Sequence, residues 1–393
     1  MSKYSILFFL VMFMIGTDTF LISPLLPTLQ AEYGVSTGNA GWMIGAYTLG
    51  SALFALISGP LSDGWNRRTV MICGLIGFSV STALCGFADS FWMMLLFRFL
   101  AGVSAAFTAP QVWASIPAVM PPQRIAKTMG IAFGGLAAAQ ALGVPIGSWL
   151  AAADWPVPFW SIGAAALLLA VGAFLLLPDM KPSRQTPASI ISRYTPLIKS
   201  GKARSGYLAY LLLHLGSGTA IAFMGKWLAD HFELSIGGIG NVMMALGFGT
   251  LLGSVISSAV VRKLGNTKTV TAGMLLLVLL YMIGPHIARL PAAATVYFMI
   301  FAVLGVIFPL VMGLLTALNA SIRGTISSLA NSTMNGANTL GAWLAGLLYV
   351  HLNGYVSIGI FSAVCIALSL GTFRLGGLLG SKEAQARQTS ESA

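Results

Sequence analysis

Unbroken apolar stretches recur along this chain, and nothing constrains its fold more. A bilayer core of about 30 Å is crossed by about 20 helical residues. Runs of that size occupy, approximately, residues 4–29, 40–61, 69–88, 91–118, 128–151 and 159–177. After a polar gap come 206–228, 237–261, 269–287, 292–318, 325–350 and 355–375. In lipid each segment must satisfy its own backbone polar groups, which a helix does internally. Only 8% of the 393 residues are charged, whereas a soluble domain carries roughly 25%. The expected fold class is an all-α polytopic membrane protein with twelve transmembrane helices. The first run, Tyr4 to Leu29, is too long for a signal-peptide core and ends without a small-residue cleavage site, so it reads as a retained helix.

An even number of spans puts both termini on one side. Eighteen of the 21 Lys and Arg fall on the side of the N-terminus, Arg289 alone falls on the other, and Arg98 and Lys226 lie inside spans. Basic residues collect in cytoplasmic loops. Both termini are therefore expected in the cytoplasm, with the chain crossing the cell (inner) membrane many times. The same asymmetry explains the net charge of +11 without a nucleic-acid partner. Cys73, Cys85 and Cys365 lie within apolar runs, show no disulfide or metal spacing, and read as small packing residues. The sequence has no Gly-x4-Gly-Lys-Ser/Thr loop, no zinc motif and no extramembrane domain to hold one. The expectation is neither an enzyme nor an ATP-driven pump, with no cofactor and no metal.

The expected organisation is an N-terminal six-helix half (1–178), a cytoplasmic linker (179–205), a C-terminal six-helix half (206–375) and a cytoplasmic tail (376–393). Within the linker, Ser189–Leu197 suits a short interfacial helix. The halves echo each other. Gly38, Met43, Ser58, Asn66, Thr69 and Val70 each match the identical residue 200 positions later. Ile146-Gly-Ser-Trp-Leu-Ala matches Leu340-Gly-Ala-Trp-Leu-Ala. Parallel repeats of this kind imply a pseudo-two-fold axis along the membrane normal and a site between the halves at mid-depth.

The loop after the second span reads Gly59-Pro-Leu-Ser-Asp63-Gly-Trp-Asn-Arg67-Arg68-Thr. It resembles the signature of the major facilitator superfamily. Gly59, Asp63, Arg67 and Arg68 fit that signature, while Gly64 and Asn66 depart from it. Arg98-Phe-Leu-Ala-Gly102 is similar to the family's helix 4 arginine motif, and Gly143-Val-Pro145-Ile-Gly147 to its antiporter motif. Asp18 through Pro24, with Pro27, resembles the first-helix pattern of the twelve-helix drug:proton antiporters, nearest to the arabinose-efflux-permease-like branch. The resemblance spans essentially the whole chain. It implies the major facilitator fold, two pseudo-symmetric six-helix halves working by alternating access.

Asp18 sits mid-span, where a charge costs at least ~2.5 kcal/mol on insertion scales. Burial and a nearby cation pull a carboxyl's proton affinity in opposite directions, so a carboxylate balanced between them can exchange a proton. Arg98 is the expected counter-ion. The plain alternatives are a permanent ion pair that only orders helices and, for Arg98, snorkelling to the interface. The resemblance makes Asp63 a cytoplasmic latch against the second half, with Gly59, Arg67, Arg68 and Arg124 around it; for Arg68 the bland reading, ordinary positive-inside charge, is preferred. Gly130, Gly134, Ala138, Ala139, Gly143 and Gly147 line one side of the fifth span, and Pro145 permits a kink. They suggest a tight, bendable contact between halves, with packing alone the simpler account. Asn331, Asn335 and Asn338, with Ser327, recur at helical spacing; they line the cavity or glue helices 8 and 11. Trp42, Tyr47, Gln111, Trp113, Gln140, His214 and Asn241 complete the candidate substrate cavity, although His214 equally suits a core position and Trp and Tyr favour interfaces. Lys226 reads as snorkelling at the end of the seventh span.

The expected activity is proton-coupled efflux of small amphipathic compounds or drugs by a secondary active transporter. The expected partners are a small-molecule substrate, protons and the lipid bilayer, with the protein acting as a monomer. The alternatives are a sugar or small-metabolite exporter, then an uptake carrier, and, from another class, a non-transporting membrane sensor on the same fold.

Overall fold

A computed structural model describes residues 2–62, 65–180, 190–319 and 323–379. The membrane helices are α1 (Lys3–Glu32), α2 (Trp42–Ser62, after a short turn at Thr37–Ala40), α3 (Arg67–Cys85) and α4 (Phe91–Val119). Then come α5 (Pro122–Ala153), α6 (Val157–Leu176), α7 (Gly201–Phe232) and α8 (Ile236–Leu264). The last four are α9 (Asn266–Ile283), α10 (Leu290–Thr316), α11 (Arg323–His351) and α12 (Gly354–Leu375). A linker helix, Ile190–Lys199, stands between α6 and α7, where the sequence suggests Ser189–Leu197; Ser189 lies outside the described residues. Eleven of the twelve are apolar enough to be recognised as spans by hydropathy; α11 is the exception because Ser, Thr and Asn interrupt it.

Local chemistry sets where these helices begin. Ser2, Asn66, Ser90, Ser200 and Ser235 each accept a hydrogen bond from a backbone N–H of the first turn they precede, satisfying a donor that the helix itself leaves open. Gly265, with φ +78°, is the whole connection between α8 and α9; an L side chain rarely adopts that conformation. Leu168, Leu175, Val255 and Leu368 are more than half exposed on the outside of the bundle. Such an apolar belt belongs against lipid, not water.

The halves are built alike. Helix α2 packs on α4, α3 on α6 and α1 on α5; correspondingly α8 packs on α10, α9 on α12 and α7 on α11. Three seams join them: α2 on α11, α5 on α8, and α1 on α7. The first two exchange under the internal repeat, because α2 matches α8 and α5 matches α11. The basic face is the one where Lys3 begins α1, Arg67 begins α3, Arg124 and Arg204 lie in the first turns of α5 and α7, and Arg262 lies in the last turn of α8.

The seams close the bundle from the opposite face to mid-depth. Gly346 meets the backbone of Gly38, Gly41 that of Ala342, and Gly225 that of Ser23. Thr48 and Thr339 share a hydrogen bond of 2.8 Å, and Ser23 Oγ donates to the Ile221 carbonyl at 2.6 Å. On the other seam, Gly240 lies against Ser148 and Gly247 against the backbone of Gln140 and Ala141. Toward the basic face the α2–α11 contact reaches Ser332 Oγ, which donates to the Ala52 carbonyl at 2.8 Å. There the linker helix docks on α2 through Tyr194, whose hydroxyl donates to the Leu56 carbonyl at 3.1 Å.

Candidate functional site

Asp18 and Arg98 stand 80 positions apart in sequence and meet in the core of the first half. Arg98 Nη1 donates to Asp18 Oδ2 at 2.8 Å, and Nη2 donates to the Asp18 backbone carbonyl at 3.3 Å. Both side chains are 0% exposed. Among the described residues, Asp18 Oδ1 and Arg98 Nε have no hydrogen-bond partner. A charged pair this deep persists only because each member neutralises the other; removing one leaves an uncompensated charge.

The surrounding helices explain the placement. Tyr47 of α2 lays its ring over the guanidinium, 4.5 Å from centroid to guanidinium carbon. A Cβ at Gly102, one turn beyond Arg98, would overlap the Tyr47 carbonyl oxygen, so this glycine is what lets α2 approach α4. Ser51 Oγ locks the same crossing by donating to the Gly102 carbonyl at 2.9 Å. Thr19, next to Asp18, shares a 3.1 Å hydrogen bond with the Tyr47 hydroxyl.

Helix α5 closes the other side. Its turn Ala139–Gly143 is a π turn, with Val144 between it and Pro145. A Cβ at Gly143 would overlap Thr17, and one at Gly16 would press on Ala139. Gly135 meets the Phe9 carbonyl and Gly147 meets Leu21. Gly135, Gly143 and Gly147 therefore fit α1 within the same half, in line with the simpler packing account; they do not make the contact between halves that the sequence also suggests. Gly130 and Gly134 have open space where a Cβ would stand. At the α5–α8 seam the close approach uses glycines of α8, Gly240 and Gly247, which the α5 motif gives no means of anticipating.

The remaining candidate residues are dispersed. Trp42 is half-buried near Gly45 at the start of α2. Gln111 is buried in α4, and Trp113 stacks on Phe133 of α5 at 4.3 Å. Gln140 lies inside the π turn against α8. His214 is buried between the rings of Tyr210 and Phe308, 4.4 and 4.6 Å away, with Nε2 unpartnered. Asn241 sits on the exposed edge of the α5–α8 seam and accepts from Trp149 Nε1 at 3.1 Å. Asn335 donates to the Asn331 carbonyl at 2.9 Å, and the Asn338 amide abuts Gly218 of α7. Helix α11 thus packs on α2 and α7; it does not serve as glue to α8. Lys226 pairs with Asp230 at 3.0 Å, and the Tyr349 hydroxyl donates to the same carboxylate at 2.7 Å.

At the basic face, Arg67 donates to the Ala114 carbonyl of α4. Arg68 pairs with Asp179 at 2.9 Å, donates to the Phe174 carbonyl and lies over the Phe174 ring. Those partners tie α3 to the end of α6 in the same half, which is more than the ordinary surface charge the sequence suggests for Arg68. Arg124 is exposed at the start of α5 and Gly59 lies in the last turn of α2. Asp63 falls outside the described residues. Among the described residues, no three His, Cys, Asp or Glu side chains gather as metal ligands.

A buried acid–arginine pair, repeated six-helix halves and glycine seams narrow the fold to one kind of protein, and comparison with known families decides it. The family model described as Major Facilitator Superfamily matches residues 8–208. The chain belongs to this superfamily. An uncharacterized MFS-type transporter, YceJ of Bacillus subtilis (strain 168), is 46% identical over 382 residues, covering 97% of this chain and 98% of that protein. The quinolone resistance protein NorA of Staphylococcus aureus (strain MSSA476) is 22% identical over 367 residues, covering 92% and 94%. Among solved structures, a bacterial homologue of the human lysosomal transporter Spinster, inward-facing and occupied, superposes with a TM-score of 0.77 at 17% identity, covering 97% of this chain and 98% of that one. At that identity the likeness shows the superfamily fold alone.

Proposed function

We propose that this chain is a secondary transporter that exports small amphipathic compounds in exchange for protons. Its halves, 1–178 and 206–375, rock about the glycine seams to open one face and then the other. The basic face is cytoplasmic by its charge, so the conformation described is sealed outside and belongs to the inward-facing part of the cycle. Asp18 is the proton-carrying group. Ionised, it holds Arg98 and stitches α1 to α4. Protonated, it weakens that stitch beside the π turn of α5, where α1 and the α5–α8 seam meet. Any difference in proton affinity between the two conformations biases their populations by the same free energy.

The observation that carries this reading is the fully buried Asp18–Arg98 pair packed between α2 and the π turn. Similarity to a quinolone resistance protein supports the choice of amphipathic cargo. The test is efflux from proteoliposomes under an imposed pH gradient, with ethidium and norfloxacin as probes. Gradient-driven efflux is expected from the native protein and is expected to vanish in Asp18→Asn. Intact pH-driven efflux in that variant would falsify the proton role. Absence of gradient-driven movement of either probe by the native protein would overturn the export reading.

A further inference from the structure

We infer that Tyr47 is a positioning residue whose ring face compensates the Arg98 guanidinium when Asp18 takes up its proton, and that it thereby sets the pH at which the pair switches. The inference rests on the proton-carrying reading of Asp18.

While Asp18 is ionised, its carboxylate neutralises Arg98. Once it is protonated, a fully buried guanidinium remains with no counter-charge. Two groups are still there to hold it. One is the Asp18 backbone carbonyl, 3.3 Å from Nη2. The other is the face of Tyr47, 4.5 Å away and itself only 2% exposed. An aromatic face attracts a cation through its quadrupole, and most strongly where water is excluded. While ionised, the carboxylate competes with the ring for the guanidinium, so the ring's hold counts for more once Asp18 is neutral. Tyr47 therefore favours the protonated pair over the ionised one.

No charged group offers a substitute among the described neighbours. From α3 the titratable group near the pair is the buried thiol of Cys85. From α1 the neighbours are Thr17 and Thr19, and α5 presents Gly143. The tyrosine is also seated by design of the backbone. Gly102 admits its carbonyl, and the Thr19 hydrogen bond fixes its hydroxyl. One turn of α4 thus carries both the cation and the notch that places the ring over it. Because Tyr47 is enclosed, it faces the pair and not a substrate in this conformation.

The readout is the carbonyl stretching band of the protonated Asp18 carboxyl, followed by infrared spectroscopy of the full-length protein in lipid as pH is varied. The band is assigned by its loss in Asp18→Asn, and no substrate is required. In Tyr47→Leu the midpoint is expected to fall by about one pH unit, roughly tenfold in proton concentration. In Tyr47→Phe it is expected to stay with the native protein. Fluorinated phenylalanines introduced at position 47 keep the shape while draining the ring face, and are expected to lower the midpoint stepwise. A native-like midpoint in Tyr47→Leu, or no response to fluorination, overturns the role of Tyr47 while leaving Asp18 as the proton carrier. If no Asp18 band titrates in the native protein, the proton-carrying reading falls and takes this inference with it.

Discussion

Paired substitutions on two different seams, Gly41→Ala and Gly225→Ala, should tip the protein out of the conformation described. A Cβ at Gly41 would overlap the Ala342 carbonyl, and one at Gly225 the Ser23 carbonyl. Both obstacles are backbone, so no side chain can swing aside. Overpacking costs typically about 1–3 kcal/mol per site. The backbone gain from replacing glycine, about 0.5–1 kcal/mol relative to the unfolded chain, is common to both conformations and cancels. The difference between conformations is therefore about 2 kcal/mol per site at mid-range. Summed over the two sites it is about 4 kcal/mol, roughly a 700-fold shift in population. The penalty applies only where the seams are closed, so the state open on that face is relieved of it.

Spin labels at Ser36 and Leu352, both exposed beside the α2–α11 seam, report the distance by pulsed electron resonance in a Cys73→Ser background, since Cys73 is the exposed cysteine of the three. A longer-distance population should dominate in the double variant. Gly130→Ala with Gly336→Ala is the control, because a Cβ at either position meets nothing within 4 Å. An unchanged distance distribution in a folded double variant, or an equal change in the control, would refute the reasoning.

Three further outcomes follow from the same contacts. Arg98→Leu strands a buried carboxylate and should cost about 3–5 kcal/mol, and Asp18→Asn in the same chain should recover part of that loss; thermal unfolding in detergent compares the two. Thr339→Val removes the hydroxyl pair with Thr48 across the seam and should cost about 0.5–1.5 kcal/mol; the same spin labels should show a modest shift toward the open face. Arg68→Ala should change thermal stability by less than about 1 kcal/mol through its ion pair, because Asp179 is 70% exposed, and raising salt in the native protein should have a comparably small effect.

The span count was legible because lipid leaves a helix few alternatives over 20 apolar residues. Even α11, whose Ser, Thr and Asn residues dilute its hydropathy, reads as the run 325–350, and its echo of the α5 sequence Ile146–Ala151 agrees. The Asp18–Arg98 pair was legible because two opposite charges inside apolar runs have few other partners. The rotational setting of each helix was not. Tyr47 looked like a cavity residue, yet its backbone is seated by Gly102 and its ring turned onto Arg98. The α5 glycines read as packing residues or as an interface between halves, and Gly135, Gly143 and Gly147 turn out to pack on α1. In both cases the outcome depends on which flank of a helix meets which neighbour, across separations of 50 residues or more. A one-dimensional pattern of small residues marks a close approach without naming its partner. The π turn leaves no compositional trace at all.

That π turn has a consequence for how α5 is kept in phase. Each residue of an α-helix advances the side chains by about 100°, and the widened turn at Ala139–Gly143 absorbs one residue more than a regular helix would. Winding that turn as regular α-helix, with no residue removed, would rotate everything from Val144 to Ala153 by about 100°. Gly147 would leave Leu21, and Ser148 and Trp149 would leave Gly240 and Asn241. The two ends of α5 address different partners, α1 along its length and α8 toward the sealed face, and one supernumerary residue is what lets a single rod serve both azimuths.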